Sequence, residues 1–150
     1  MKLHQLSLFL ENRPGHLVGP CQALAAAGIN ILTLSVADTQ RFGILRLIVR
    51  DWQRAREVLA SAGCVVNVTE VVVVEVVDKP GGLVEVLETL QKAGLNVEYM
   101  YAFTFKRGNR GAMVFRFEDA DAAVRSLHEH GLNVLSSEEL FELLGGSVQS

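Results

Sequence analysis

Two cysteines in 150 residues, Cys21 and Cys64, are too few for a disulfide framework and suit a reducing cytoplasm. Proline is equally scarce at three residues, and the 13 glycines follow no collagen-like period, which excludes collagenous and proline-rich disordered chains. No apolar run is long: Val71 to Val74, near the middle, falls far short of the ~20 residues of a membrane helix. The opening Met1 to Leu6 lacks the apolar stretch and small-residue cleavage site of a secretory signal, so a cytoplasmic location is expected. A basic excess is missing as well. The formal net charge of −3 argues against a surface that tracks nucleic-acid phosphates, and neither nucleic acid nor membrane is expected as a partner. What is present is ordinary globular composition, 49% hydrophobic and 21% charged, enough for one domain or two small ones.

The chain copies itself. Pro14-Gly15-His16-Leu17 returns as Pro80-Gly81-Gly82-Leu83, and Ala27-Gly28-Ile29-Asn30 returns as Ala93-Gly94-Leu95-Asn96, both at an offset of 66. Gly43 and Gly111, Asp51 and Asp119, Ala55 and Ala123, and Gly63 and Gly131 then align at an offset of 68. A two-residue insertion between Asn96 and Gly111 accounts for the change. The period is too long, and the copies too few, for a solenoid. Two homologous small domains are expected, over residues 1–69 and 70–150.

Each copy parses alike. Leu6, Leu8 and Leu10 alternate as a half-buried strand, and a Pro-Gly corner follows. Leu17, Cys21, Leu24 and Ala25 recur at helical spacing up to Gly28. Leu32, Leu34 and Val36 mark a second strand, Ile44 to Val49 a third, and Cys64 to Val68 a fourth. Between the last two, Ala55, Val58, Leu59 and Ala62 mark a helix entered at Asp51 and left at Gly63. The second copy repeats this, and its strand of Val97, Tyr99, Tyr101, Phe103 and Phe105 is expected to turn those five to one side. The fold class is α+β: two tandem ferredoxin-like βαββαβ domains with antiparallel sheets and helices on one face. Ser136-Ser137-Glu138-Glu139 predicts a short C-terminal helix that ends at Gly145-Gly146-Ser147. No flexible linker separates the copies, so rigid coupling is expected.

Chemistry is expected at the corner between the first strand and first helix. Glu11-Asn12-Arg13-Pro14-Gly15 opens a helix whose first N–H groups have no intrahelical partner, a place for a carboxylate. Asn12 adds an amide that both donates and accepts. Asn30 opens the next strand at the helix's far end, so a neighbouring domain must complete any pocket it shares with Asn12. Pro-Gly and Gly-x-Asn are also ordinary turn chemistry. Pro20 falls about one turn into the helix, which either begins late or kinks there.

Glu11-Asn12-Arg13-Pro14-Gly15-His16-Leu17, followed by Ala27-Gly28-Ile29-Asn30-Ile31, resembles the ACT domain, a small amino-acid-sensing module. Asp78-Lys79-Pro80-Gly81-Gly82-Leu83 and Ala93-Gly94-Leu95-Asn96-Val97 carry the same resemblance in the second copy. Together they span nearly the whole chain, as in stand-alone tandem ACT proteins of bacteria. The resemblance implies a ligand site in which Asn12 and Asn30 bind an amino acid across two domains, with Gly15, His16 and Leu17 lining it by backbone. Matched by position, Arg13, Pro14 and Ile31 join that set, as do Asp78, Gly81, Gly82, Leu83, Asn96 and Val97. Asp78 stands where the first copy has Asn12. Its carboxylate would repel a ligand carboxylate and attract an ammonium, so the two sites need not be equivalent.

The implied function is a non-catalytic sensor of an amino acid or related carboxylate, regulating amino-acid metabolism as a homodimer, with no cofactor. A regulatory subunit or dimerisation module for a biosynthetic enzyme such as acetolactate synthase is the alternative. No Ser/His/Asp or Cys/His set, P-loop or Rossmann fingerprint stands out. Acylphosphatase shares the ferredoxin-like plan, but its Gly-rich loop with an Arg at the helix start is not evident. His4, His16, His128 and His130 have no metal-ligand spacing. Both cysteines read as packed thiols, and Lys106, Arg107 and Arg110 as a solvated basic hairpin.

Overall fold

The computed structural model describes residues 2–38 and 40–145, apart from the side chains of residues 104–107; the expected orientation of Phe105, the charges of Lys106 and Arg107, and the tail after Gly145 lie outside the described residues. In chain order the elements are β1 (Leu3–Glu11), α1 (Val18–Ala26), β2 (Thr33–Asp38), β3 (Phe42–Ile48), α2 (Trp52–Ser61) and β4 (Val66–Val77). They continue as α3 (Gly82–Lys92), β5 (Val97–Arg107), β6 (Arg110–Phe117), α4 (Ala120–Glu129), β7 (Val134–Leu135) and α5 (Ser137–Gly145). The backbone divides into two compact units, one of His4–Thr69 and one of Glu70 onward together with the first three residues.

In the first unit β3 is central: it pairs antiparallel with β1 through Leu6↔Leu47 and Leu8↔Leu45, and with β2 through Leu34↔Leu47. β4 lies beyond β1, so the strand order is β2-β3-β1-β4. The alternation in β1 and β3 sends Leu6, Leu8, Leu45 and Leu47 to one face, where they pack with Leu24 of α1 and Ala55 and Leu59 of α2. The second unit repeats the plan in the order β7-β4-β6-β5. Val72, Val74, Phe115 and Phe117 meet Val86 and Leu90 of α3 and Ala123 and Leu127 of α4. This is the α+β, ferredoxin-like arrangement in duplicate.

Four helices end in one way. At the first, Gly28 takes φ +73° and Ile29 N–H reaches back to Leu24 C=O at 2.9 Å, the Schellman stop. Gly63, Gly94 and Gly131 do the same, with Cys64, Leu95 and Leu132 bonding back to Leu59, Leu90 and Leu127. Starts are also repeated: Asp51 accepts from Arg54 N–H at 3.1 Å and Asp119 from Ala122 N–H at 3.0 Å. Ser136 Oγ accepts from Glu139 N–H at 3.1 Å to open α5.

Strand β5 departs from the alternation expected of it. Val97 faces Phe117 and Tyr99 faces Arg116, so Glu98 is one residue extra, a β-bulge. The slip reverses the faces: Val97 and Met100 pack into the core, while Tyr99 and Tyr101 turn to the opposite side. A second irregularity falls between Ala102 and Lys106. The longer hairpin of the second copy is where its insertion resides.

Candidate functional site

Strand β1 ends at Glu11, and the chain turns through Arg13-Pro14-Gly15-His16. Proline fixes the first turn angle, Gly15 takes φ +83°, and His16 N–H donates to Arg13 C=O at 3.3 Å: a type II turn. Asn12 N–H is tied to Arg41 C=O at 3.0 Å, which pins the corner to the start of β3. Residues Asn12 to Val18 line an open concavity of about 500 Å³. Six of the sequence-predicted site residues, Asn12 through Leu17, therefore converge on one place.

The donors there are fewer than a helix start ordinarily offers. Pro20 has no N–H, and its ring would collide with the carbonyl of His16 if the helix began at the turn. The helix begins late instead, at Val18, with Pro20 in its first turn where the lost donor had no intrahelical partner. Val18 N–H bonds Gly15 C=O at 3.2 Å. Among the described residues no hydrogen bond engages the N–H of Leu17 or Gly19, and these are left to meet an anion. The His16 ring sits half-buried with Nδ1 2.6 Å from Arg13 C=O. A carbonyl only accepts, so Nδ1 carries the hydrogen of this contact. Nε2 lies over β3, 3.9 Å from where a Cβ on Gly43 would stand. Arg13 keeps to solvent, with Nε 3.4 Å from Glu11 Oε2.

Asn30 and Ile31 are not part of this concavity. Strand register sets Glu11 opposite Phe42 and Leu32 beside Ile48, so the two asparagines stand at opposite ends of the sheet. At ~3.3 Å per residue they are about 20 Å apart. Asn30 is exposed, and Ile31 packs against the core.

The second corner has the same turn: Gly81 at φ +85°, and Gly82 N–H to Lys79 C=O at 3.0 Å. A concavity of about 320 Å³ opens there, lined by Val76, Val77, Asp78, Lys79 and Leu83 and by residues of the β5–β6 hairpin. Asp78 N–H bonds Asn109 C=O at 2.6 Å. Gly81 and Gly82 shape the turn without lining the concavity, Asn96 is exposed at the far end of β5, and Val97 is packed in the core. The hairpin residues Ala102, Phe103, Gly111, Ala112 and Met113 were not marked as site residues by the sequence. Gly111 was visible only as the repeat partner of Gly43.

A family model described as an ACT domain pair matches residues 1–144. The chain belongs to the ACT domain pair family. The crystal structure of protein BT0572 from Bacteroides thetaiotaomicron shares 36% identity with this ACT pair over 94% of the chain and 96% of that protein, with a TM-score of 0.87. The ligand-free regulatory subunit of aspartate kinase from Thermus thermophilus is similar in fold: 22% identity, 84% and 91% of the two chains, and a TM-score of 0.62. The regulatory subunit of aspartate kinase from Thermus flavus gives 22% identity over 84% and 90%, with a TM-score of 0.58. Among proteins of curated function, none matched the ACT pair. Among the described residues no helix is long and apolar enough to cross a membrane, and no group of His, Cys, Asp and Glu could hold a metal ion.

Proposed function

We propose that this ACT domain pair is a non-catalytic cytoplasmic sensor that binds a free amino acid or related carboxylate and so regulates amino-acid metabolism. The observation that carries this reading is the convergence of Asn12 through Val18 on one concavity with unengaged N–H groups at Leu17 and Gly19. The carboxylate sits on those N–H groups at the positive end of α1, and the Asn12 amide takes a second polar group of the ligand. Asn30 joins only if another ACT domain brings it, which is the reason to expect a homodimer. A sensor poised near metabolite concentrations binds with micromolar to millimolar affinity, about −4 to −8 kcal/mol.

A thermal-shift screen against the proteinogenic amino acids tests the reading. A ligand at 100 times its dissociation constant stabilises the fold by about 2.7 kcal/mol. Asn12→Ala is expected to fold normally and lose that shift; a folded variant with unchanged affinity removes the site assignment.

A second reading, a regulatory subunit acting on a separate biosynthetic enzyme, draws on the fold shared with the two Thermus subunits. It predicts an enzyme that responds to an amino acid only when this chain is added.

A further inference from the structure

The two units also diverge on the sheet faces turned away from their helices. In the first unit Leu6, Leu8, Leu45 and Leu47 point to the helices. Phe9, Ile44 and Ala37, set in one row by strand register, therefore point the other way. Phe42 follows in the next row, opposite Glu11. The offsets of the repeat match Phe9 with Glu75, Phe42 with Arg110 and Val65 with Asn133. In the second unit those three positions form one polar cluster: Glu75 accepts from Arg110 Nη1 at 3.2 Å and from Asn133 Nδ2 at 2.6 Å. Asn133 C=O also accepts from Glu75 N–H at 2.9 Å. Val65 takes the equivalent place just before β4, the strand beside β1. In the first unit the three positions are apolar, and Phe9, Phe42 and Val65 are 55%, 53% and 70% exposed.

The fold does not require apolar groups there, since its own copy holds a satisfied polar cluster at the same three places. Their exposure is a feature of the first unit's surface. Together they present roughly 300 Å² of apolar area, the size of patch that marks a contact surface. Ala37 and half-buried Ile44 extend it toward the ~600 Å² per partner of a weak, reversible pairing. Charge bounds this band at both ends. Glu11 shares the row of Phe42, and Arg46 lies in the row beyond Phe9, paired with Ser7. The second unit has Val77 and Val114 at those two positions, so the ends and the middle of the band exchange polarity between the copies.

We propose that the outer sheet face of the first unit is an interface that pairs with the same face of a second copy of this chain. The row of Phe9 and Ile44 lies midway between the rows of Glu11 and Arg46. A two-fold axis laid across the strands at that row reverses the strand direction and returns the apolar band onto itself. It sets Glu11 of each copy against Arg46 of the other, one strand over and within reach of an arginine across sheets ~10 Å apart. The band supplies the attraction, and the two symmetric charge pairs fix the orientation. A partner charged at its centre would bury an ion without a counterpart; the same face of a second copy brings none. The pairing does not rest on amino-acid binding, because it uses the side of the sheet away from the helices.

The test is sedimentation equilibrium of the full chain from about 1 μM to about 1 mM, without amino acids, where a reversible dimer is expected. Phe9→Glu, Phe42→Arg and Val65→Asn together install the cluster that the second unit already carries. With circular dichroism unchanged, this triple variant should weaken pairing by at least about ten-fold. Phe42→Arg alone, at an exposed strand end, serves if the triple variant does not fold. Glu11→Arg sets like charges against each other and should weaken pairing at low salt; mixing it with Arg46→Glu should restore a dimer of the two variants. A parent that stays monomeric throughout overturns the proposal and leaves the patch to a different protein. A triple variant that pairs as the parent does assigns the dimer to another surface and overturns it too. A mixture no better paired than its components overturns the two-fold arrangement. None of these outcomes bears on the thermal-shift screen, which tests the sensor reading separately.

Discussion

Both units leave their first strand through the same Pro-Gly turn, and two substitutions then make the corners unlike. Val86 in the second unit donates normally within α3, so that helix begins at Gly82, directly after the turn. Pro20 stands at the equivalent place in the first unit and delays α1 to Val18, two residues later by alignment. His16 against Gly82 is the other difference. One corner is loose, wide and capped by an imidazole; the other is tight at its backbone and open over its sheet. A duplicated fold thus carries two concavities of different volume and chemistry without any change in strand order, because helix starts tolerate change that paired strands do not.

The largest test of this contrast is a single methyl group. Gly82→Ala puts a Cβ into the Val77 carbonyl, and backbone must move to admit it, at a cost of about 3 kcal/mol. His16→Ala at the looser corner loses one side-chain hydrogen bond to Arg13 C=O and should cost about 1 kcal/mol or less. Urea unfolding of the two variants beside the parent measures both. Equal losses would mean that the corners are equally tight and that the contrast is false.

A smaller effect tests where the units should not differ. Asp51 and Asp119 cap α2 and α4 with nearly the same geometry, at 3.1 and 3.0 Å. Each should cost about 1 kcal/mol when changed to alanine. If one costs several times the other, the equivalence of the second helices fails and the repeat has diverged beyond its corners.

Those caps, and the glycine that stops each of four helices, were legible in the sequence because their chemistry is local: an acid three residues before the N–H it accepts from, a glycine where φ must be positive. The βαββαβ order followed from apolar alternation and the repeat. Topology alone also set Asn30 at the far end of the helix from Asn12. Glu98 was not legible as a bulge, since a strand rich in alternating aromatics gives no sign of which residue slips. The part played by Gly82 was hidden too. It depends on the carbonyl of Val77, which only the packed helix brings near. Gly43 and Gly111 stood out as a repeated pair, but what fills the space over each is decided by residues 27 and 29 positions away in the chain, His16 and Gly82.

The finest comparison is at the end of the second helices, where Cys64 follows Gly63 and Leu132 follows Gly131. Both pack on their cores, but burial pushes the Cys64 thiol up from its ordinary range because the thiolate is the form that loses hydration. In the unfolded chain this thiol ionises near pH ~8.5, and in the native unit later. Between those two values the unfolded state has released its proton and the native state has not. Native stability is therefore fully present below the unfolded pKa and is lost as pH rises toward the native one. Chemical denaturation at pH 7, 9 and 10 should show that decline, and Cys64→Leu, which gives the first unit the residue of the second, should flatten it. The loss should be well under about 1 kcal/mol for a thiol only partly buried. An unchanged slope in Cys64→Leu would assign the alkaline decline to other groups and leave the two helix ends energetically alike.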